Sequence, residues 1–106
     1  KALKVDHQNG QAYANRAAVY EAVATACAKD VPDFDDKLVY LMAYEDYQTA
    51  QSKGYHKVTN KLDFLEKARI PQKGDWFFNR DDYVKNNRAK PHKACYAWLN
   101  RSVKAP

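Results

Sequence analysis

Residues 33–54 read DFDDKLVYLMAYEDYQTAQSKG and carry the strongest helical signal in the 106-residue sequence. Asp33 can cap the first turn, and Asp35 and Asp36 follow where the positive end of the helix dipole favours acidic side chains. Gly54 suits the left-handed conformation that commonly ends a helix. Aromatic and aliphatic side chains recur at helical spacing between these two signals, so the segment predicts a long helix with a broad apolar face. That face comprises Phe34, Leu38, Tyr40, Leu41, Tyr44 and Tyr47.

An alanine-rich segment upstream, residues 9–29, predicts another long helix. Its larger apolar side chains follow each other at steps of four and three residues, which places them on one helix face. Asn9 is the expected N-cap, and Pro32 ends the segment. The shared face comprises Tyr13, Ala17, Tyr20, Ala24 and Cys27.

The sequence after Gly54 predicts shorter elements. A helix is expected over residues 60–69, and residues 71–75 have the composition of a turn. The WFF run at residues 76–78 is too short for periodicity to assign, and residues 79–89 are weakly helical. A last helix is expected over residues 91–103, because proline is tolerated at a first helical position. Its core face would comprise Ala94, Cys95, Trp98 and Leu99.

These elements predict an all-α fold, a small bundle of four to five helices in a single domain spanning residues 1–106. Residues 1–8 are expected to form a loose N-terminal arm. Three glycines and four prolines are too few for a many-turned β-sandwich or a glycine-rich phosphate loop. No stretch approaches the roughly 18 consecutive apolar residues that a membrane span requires.

The two cysteines, Cys27 and Cys95, lie 68 positions apart. An even number with wide spacing predicts one long-range disulfide, and the alternative is a pair of buried thiols that pack as small hydrophobic side chains. Closing a loop of that length would stabilise the fold by about 4 kcal/mol in the chain-entropy model. A disulfide in turn indicates an oxidising location, periplasmic or extracellular.

Charge is distributed unevenly along the chain. The formal net charge is +5, but residues 1–52 carry −3 and residues 53–106 carry +8. Six basic residues and no acidic one follow Tyr83. Either the acidic segment at residues 30–46 packs against this basic tail, or the fold presents two opposed patches, and the sequence leaves both open.

No constellation of residues predicts catalysis, a metal site or a cofactor. His92 lies one helical turn before Cys95, but no third group is available to orient it, and a disulfide would consume the sulfur nucleophile. A zinc site built from both cysteines, His92 and either His7 or His56 would lack the closely spaced cysteine pair typical of structural zinc. We therefore expect a non-enzymatic protein that needs neither metal nor cofactor.

The WFF run stands beside the predicted turn, where large apolar side chains are difficult to bury. Aromatic side chains exposed on a loop are typical interface anchors, and the alternative is a loop folded back onto the core. We predict a contact surface over residues 72–83, with flanking basic groups that steer a partner with an acidic surface. The predicted partner-binding residues are Trp76, Phe77, Phe78, Arg80, Tyr83 and Lys85.

These features predict a small exported protein that acts by stoichiometric binding to a protein partner, as an inhibitor, an immunity factor or a chaperone. In size and in cysteine placement, the expected frame resembles that of bacterial periplasmic immunity proteins and acid-stress chaperones. The resemblance covers most of the chain but includes no diagnostic motif, so it transfers no functional residue.

Two other functions are compatible with the sequence. The first is a basic nucleic-acid-binding module, in which the tail contacts phosphates and Tyr96 or Trp98 stacks on bases. The basic residues of that tail are Lys85, Arg88, Lys90, Lys93, Arg101 and Lys104. The second is a homodimer in which the aromatic helix face pairs with its copy.

Overall fold

The computed structural model describes residues 7–106, in which four α-helices precede a small three-stranded sheet. The helices are α1 (His7–Ala28), α2 (Phe34–Ser52), α3 (Thr59–Ala68) and α4 (Lys73–Tyr83). The strands are β1 (Val84–Lys85), β2 (Arg88–Ala89) and β3 (Val103–Lys104), and short 3-10 turns lie at His56–Val58 and Ala94–Tyr96. The predicted helical bundle and its Cys27–Cys95 disulfide are confirmed.

Helices α1 and α2 form an antiparallel pair at the centre of the fold. Near one end of the pair Gly10 lies against Ala50, and toward the other end the Thr25 and Tyr40 hydroxyl oxygens are 2.7 Å apart. The predicted helix faces meet between them, with Ala17 fully buried. Small side chains on α1 allow the aromatic face of α2 to pack closely, which builds most of the core.

The boundaries of α2 follow the sequence signals. The Asp36 backbone N–H donates to the Asp33 carboxylate at 3.1 Å, and the Asp33 backbone N–H donates to the Asp36 carboxylate at 2.9 Å, which makes a reciprocal capping box. Gly54 has a φ of 92° just beyond the helix. The predicted N-cap of α1 is wrong, because the chain is already helical at His7 and Asn9 lies inside the helix. Residues 1–6 of the predicted N-terminal arm lie outside the described residues.

Two helical glycines differ in their surroundings and give a matched pair of stability predictions. A Cβ added at Gly10 would lie 2.7 Å from the Tyr55 Cβ and 3.1 Å from the Ala50 carbonyl oxygen, whereas one at Gly74 would meet nothing within 4 Å. We expect Gly10→Ala to lower the free energy of unfolding by about 1–3 kcal/mol through overpacking. Gly74→Ala should raise it by about 0.5 kcal/mol, because alanine restricts the unfolded chain. Urea unfolding of both variants checks the sign, and equal effects would contradict the close approach at Gly10.

The predicted last helix is absent from residues 91–103, which hold only the Ala94–Tyr96 turn and the start of β3. The Lys93 backbone N–H donates to the Asp35 carboxylate at 2.9 Å, so tertiary contacts fix this segment in place of helical hydrogen bonds. Of the predicted core face, Leu99 is buried but Trp98 is 58% exposed. The helical spacing of these apolar residues was therefore coincidental.

A β-hairpin replaces the weak helix predicted over residues 79–89. After α4 ends, β1 and β2 pair antiparallel with Val84 opposite Ala89, and β2 then pairs antiparallel with β3. The turn between β1 and β2 consists of Asn86 and Asn87, with φ of 54° and 63°. Asparagine adopts this left-handed conformation more readily than most residues, and two such residues in succession close a tight hairpin.

Candidate binding surfaces

Helix α4 includes the WFF run, so helical phase decides which rings are buried. Trp76 is 7% exposed, and its ring packs edge-on against Phe34 with centroids 5.3 Å apart. Tyr83, two turns later on the same side, packs against Phe34 at 4.7 Å. The predicted role of Trp76 as an exposed loop anchor is therefore not supported by its position, because its ring belongs to the core.

The next two rings point to solvent. Phe77 is 78% exposed and Phe78 is 81% exposed, and their rings meet edge-on with centroids 5.2 Å apart. Phe77 lies roughly 100° and Phe78 roughly 200° around the helix from Trp76, so neither ring faces the core. We call these two side chains, together with the exposed backbone at Gly74 one turn earlier, the Phe77–Phe78 surface.

Charged residues of both signs border the Phe77–Phe78 surface. Lys73 lies one turn before Phe77, while the exposed Asp81 and Asp82 lie one turn beyond the two rings. Arg80, which was predicted to flank the contact surface, donates to the Pro106 carbonyl oxygen at 2.7 Å. The immediate border is therefore basic at the start of α4 and acidic at its end.

Lys85, the last of the predicted partner-binding residues, lies in the hairpin and lines a separate cavity of about 380 Å³. We call this space the hairpin cavity. Its walls are Tyr83, Lys85, Asn86, Arg88, Ala89, Lys90, His92 and Ser102. The six predicted residues thus divide among the core, the Phe77–Phe78 surface and this cavity.

One wall of the hairpin cavity is a pair of stacked rings. The His92 imidazole lies parallel to the Tyr83 ring, with an angle of 4° between the planes and 4.2 Å between the centroids. Burial raises the pKa of the Tyr83 hydroxyl, and the nearby Asp35 carboxylate raises it further. Tyr83 therefore stays protonated and serves as a rigid backing for the imidazole.

The acidic segment and the basic tail pack against each other, which resolves the two arrangements that the sequence left open. The Lys93 ammonium lies 2.8 Å from an Asp33 oxygen and 3.0 Å from an Asp36 oxygen. Arg101 lies 3.1 Å from the buried Asp46, which also receives two hydrogen bonds from Arg16. Two of the six basic residues predicted to contact phosphate are therefore already neutralised within the fold.

The contact between the acidic segment and the basic tail favours the charged forms of Lys93 and Asp33. Burial alone would lower the pKa of Lys93, but the hydrogen bonds that its ammonium donates to Asp33 and Asp36 outweigh burial and raise that pKa. Burial opposes ionisation of Asp33 as well, yet its bond to Lys93 holds the Asp33 pKa below the ordinary value. Since a lowered carboxyl pKa stabilises the fold only while the group is ionised, this ion pair contributes above the ordinary Asp pKa and is lost as the pH falls through the folded value.

The disulfide connects the same two halves of the chain. Cys27 near the end of α1 is bonded to Cys95, with their Cα atoms 6.4 Å apart, inside the normal range for a bridge. Neither sulfur can then act as a thiolate nucleophile or metal ligand beside His92. Within residues 7–106, no group of three or more His, Cys, Asp or Glu side chains is placed to hold a metal ion.

Sequence reasoning found Lys85 and Tyr83 but did not place them in a cavity with Arg88, Lys90 and His92. The signal for that cavity was the Asn86–Asn87 pair between two short β-compatible segments, which indicates a hairpin. Recognising it would have brought the basic residues on both sides of the turn together. The helical pattern instead predicts Lys85 and Arg88 on a weak helix over residues 79–89, with Lys90 between that helix and the next.

No protein-family model matches the chain, and comparison with curated proteins and solved structures found no match. None of the helices described in residues 7–106 is long and apolar enough to cross a membrane.

Proposed function

We propose that this protein is a non-enzymatic binding protein of the periplasm or extracellular space, which forms a stoichiometric complex with a protein partner through the Phe77–Phe78 surface. Inhibitors, immunity factors and chaperones act in this way. The observation that carries the proposal is the exposure of two adjacent phenylalanine rings, 78% and 81%, on an ordered helix. A disulfide between distant segments supports the oxidising location.

The apolar surface of the two exposed rings is not buried by folding, so it is available to be buried by a partner. Fully burying a phenylalanine side chain contributes about 1.5–3 kcal/mol relative to leaving it in water. Helix α4 is fixed from behind, since Trp76 packs in the core and Asp75 accepts a hydrogen bond from Lys37 at 2.9 Å. A partner would therefore meet a preorganised surface, which lowers the entropy cost of association.

The charge around the surface sets the chemistry of the partner. A net charge of +5 favours the approach of an acidic protein, and Lys73 provides a basic edge at the start of α4. At the other end, Asp81 and Asp82 require a neutral or basic group on the partner. We therefore expect a partner with an apolar pocket on a predominantly acidic surface, bound in a single orientation along the helix.

Alanine substitution at the two rings should separate binding from folding. We expect Phe77→Ala and Phe78→Ala each to weaken the complex about 30-fold, the effect of losing a hot-spot side chain worth about 2 kcal/mol. The free energy of unfolding should change by no more than about 0.5 kcal/mol, because both rings are exposed. Phe64→Ala is the matched control, since Phe64 is also exposed, on α3, and should leave binding unchanged.

The partner can be identified by placing a photoreactive phenylalanine analogue at position 77, with the same analogue at position 64 as the reference. A cross-linked protein specific to position 77 should, once purified, bind the native chain one to one by titration calorimetry. Adducts that form equally at both positions, or a purified partner that binds the Phe77→Ala variant as tightly, would show that this surface is not the interface. A concentration-dependent dimer lost in the same variants would assign the surface to a second copy of the chain instead.

The alternative function is a basic nucleic-acid-binding module. It retains four basic residues of the tail without a carboxylate within 4.0 Å among the described residues: Lys85, Arg88, Lys90 and Lys104. Contacts to phosphates release counterions, so affinity for single- or double-stranded nucleic acid should fall steeply as salt rises. Absence of binding at about 50 mM salt would eliminate this alternative.

A further inference from the structure

Three basic side chains form a row across the outer face of the sheet. Lys85 on β1 lies directly opposite Arg88 on β2, and Arg88 lies directly opposite Lys104 on β3. The other row, Val84, Ala89 and Val103, faces the core. Like charges directly opposite each other destabilise a sheet, and within residues 7–106 no carboxylate lies within 4.0 Å of the three basic groups. The fold therefore holds together a concentration of positive charge that an anion would relieve.

The central member of this row is held in a fixed orientation. Arg88 donates through Nε to the Ser102 hydroxyl at 2.7 Å and through Nη2 to the Ser102 carbonyl oxygen at 2.9 Å. A guanidinium has five N–H donors, so these two bonds leave the Nη1 edge for a ligand. Because the guanidinium is already held in place, binding a phosphate or carboxylate costs it little further conformational entropy.

The hairpin cavity lies beside this row and adds both charge and an aromatic surface. Lys85, Arg88 and Lys90 contribute three basic groups to a space of about 380 Å³. Tyr83 covers one face of the His92 imidazole, and His92 remains exposed to solvent, from which a planar ring could approach it. Stacking of a base on such a ring, next to cations that bind phosphate, is the common basis of nucleotide binding by single-strand-binding proteins.

We propose that the hairpin cavity binds the phosphate groups of a nucleotide, with Lys85, Arg88 and Lys90 around the phosphates and the base stacked on His92. Three basic groups around one cavity match a group with several negative charges better than a single carboxylate. The exposed imidazole matches the planar base. The nucleotide is either a free molecule or a unit of single-stranded nucleic acid, because both present the same chemistry.

This site is independent of the proposed protein complex. Tyr83, which lies at the edge of the cavity, is separated from Phe77 and Phe78 by roughly 120–140° around α4, so the two surfaces face different directions. The double variant Phe77→Ala/Phe78→Ala should therefore bind nucleotide with unchanged affinity. Failure of one proposal would leave the other standing.

Titration calorimetry with adenosine diphosphate at low salt tests the site. We expect one bound molecule, and Lys85→Gln and Lys90→Gln should each weaken binding about tenfold through loss of a charge-assisted contact. Lys57→Gln is the matched control, because Lys57 is an exposed lysine outside the cavity, and it should change affinity less than twofold. Circular dichroism of each variant confirms the native fold.

Further ligands assign the separate parts of the cavity. Pyrophosphate should bind and should lose affinity in Lys85→Gln but not in His92→Ala, whereas adenosine diphosphate should lose affinity in both. A short single-stranded oligonucleotide that binds more tightly than the free nucleotide would identify nucleic acid as the source, and the reverse order would identify a free nucleotide. The proposal would be overturned by equal affinity for an acidic peptide, by equal affinity for adenosine without phosphate, or by lysine variants that bind as tightly as the native chain. The basic row would then serve only to prevent other strands from pairing with the sheet edges.

Discussion

Replacing Asp36 with alanine should lower the free energy of unfolding by about 3–5 kcal/mol, the combined cost of an unsatisfied buried hydroxyl, a lost charge-assisted hydrogen bond and a weakened helix cap. The Asp36 side chain has no exposed surface and accepts hydrogen bonds from the Lys93 ammonium at 3.0 and 3.1 Å. It also accepts one from the Tyr96 hydroxyl, which is itself buried, and one from the Asp33 backbone N–H. The substitution leaves a buried hydroxyl and a partly buried ammonium without their acceptor and removes half of the α2 capping box.

Urea unfolding monitored by tyrosine and tryptophan fluorescence measures the effect. Asp81→Ala is the matched control, because Asp81 is exposed on α4 and its removal should change stability by less than about 0.5 kcal/mol. Lys93→Ala should also be destabilising, since it leaves the fully buried Asp36 carboxylate without its countercharge. A loss below about 1 kcal/mol for Asp36→Ala would mean that the contact between acidic segment and basic tail is not buried as described.

Removing the disulfide should lower the free energy of unfolding by about 4 kcal/mol, as the chain-entropy model gives for so long a loop. The bond joins residues 68 positions apart, so the oxidised unfolded chain has far fewer conformations than the reduced one. Cys95 is exposed and Cys27 is half-buried, so the double variant Cys27→Ala/Cys95→Ala creates little cavity. The loss of stability in this variant should therefore come mainly from the greater conformational entropy of its unfolded chain.

The double variant and the native protein are compared by urea unfolding without reductant. The native protein should lose the same stability when excess reductant is added, while the double variant should not respond to it. Thiol titration of the native chain in denaturant, after purification without reductant from an oxidising compartment, should find no free thiol. Two free thiols, or a stability that is indifferent to reductant, would contradict the bond and the proposed location that depends on it.

The sequence was sufficient for the three helices whose signals are local. Both boundaries of α2 follow from residues within one turn of them, the Asp33 cap and Gly54, and α3 differs from its predicted range by one residue at each end. In α1 the apolar spacing identified the buried face, with Ala17 and Ala24 fully inaccessible. Helical hydrogen bonds join residues four apart, so short-range patterns contain the information needed to predict them.

The tail could not be predicted in the same way, because its conformation depends on partners more than 50 residues away. The Asp35 and Asp36 carboxylates fix Lys93, and Asp46 fixes Arg101. The spacing of residues within the tail cannot predict contacts with such distant residues. Apolar residues at helical intervals then suggested a helix that the chain does not form.

The candidate surfaces show a similar division. Composition identified the WFF run as unusual, but a three-residue apolar run has no phase, and the assignment of Trp76 to the core and its two neighbours to solvent required the helix to be known. The charge pattern correctly raised the possibility that acidic and basic halves meet. Which basic residues remain available for a partner depended on the particular pairs formed by Lys93 and Arg101.

The attachment of the tail through Lys93, Cys95 and Arg101 has a consequence for the order of folding. Before the disulfide has formed, helices α1 and α2, which are joined by a short connection, can pair early, whereas the ion pairs of the tail close loops of more than 50 residues and are expected late. Weakening these ion pairs should then accelerate unfolding while leaving the refolding rate nearly unchanged. In the reduced chain the C-terminal segment would thus govern the rate of unfolding, and the two long helices the rate of folding.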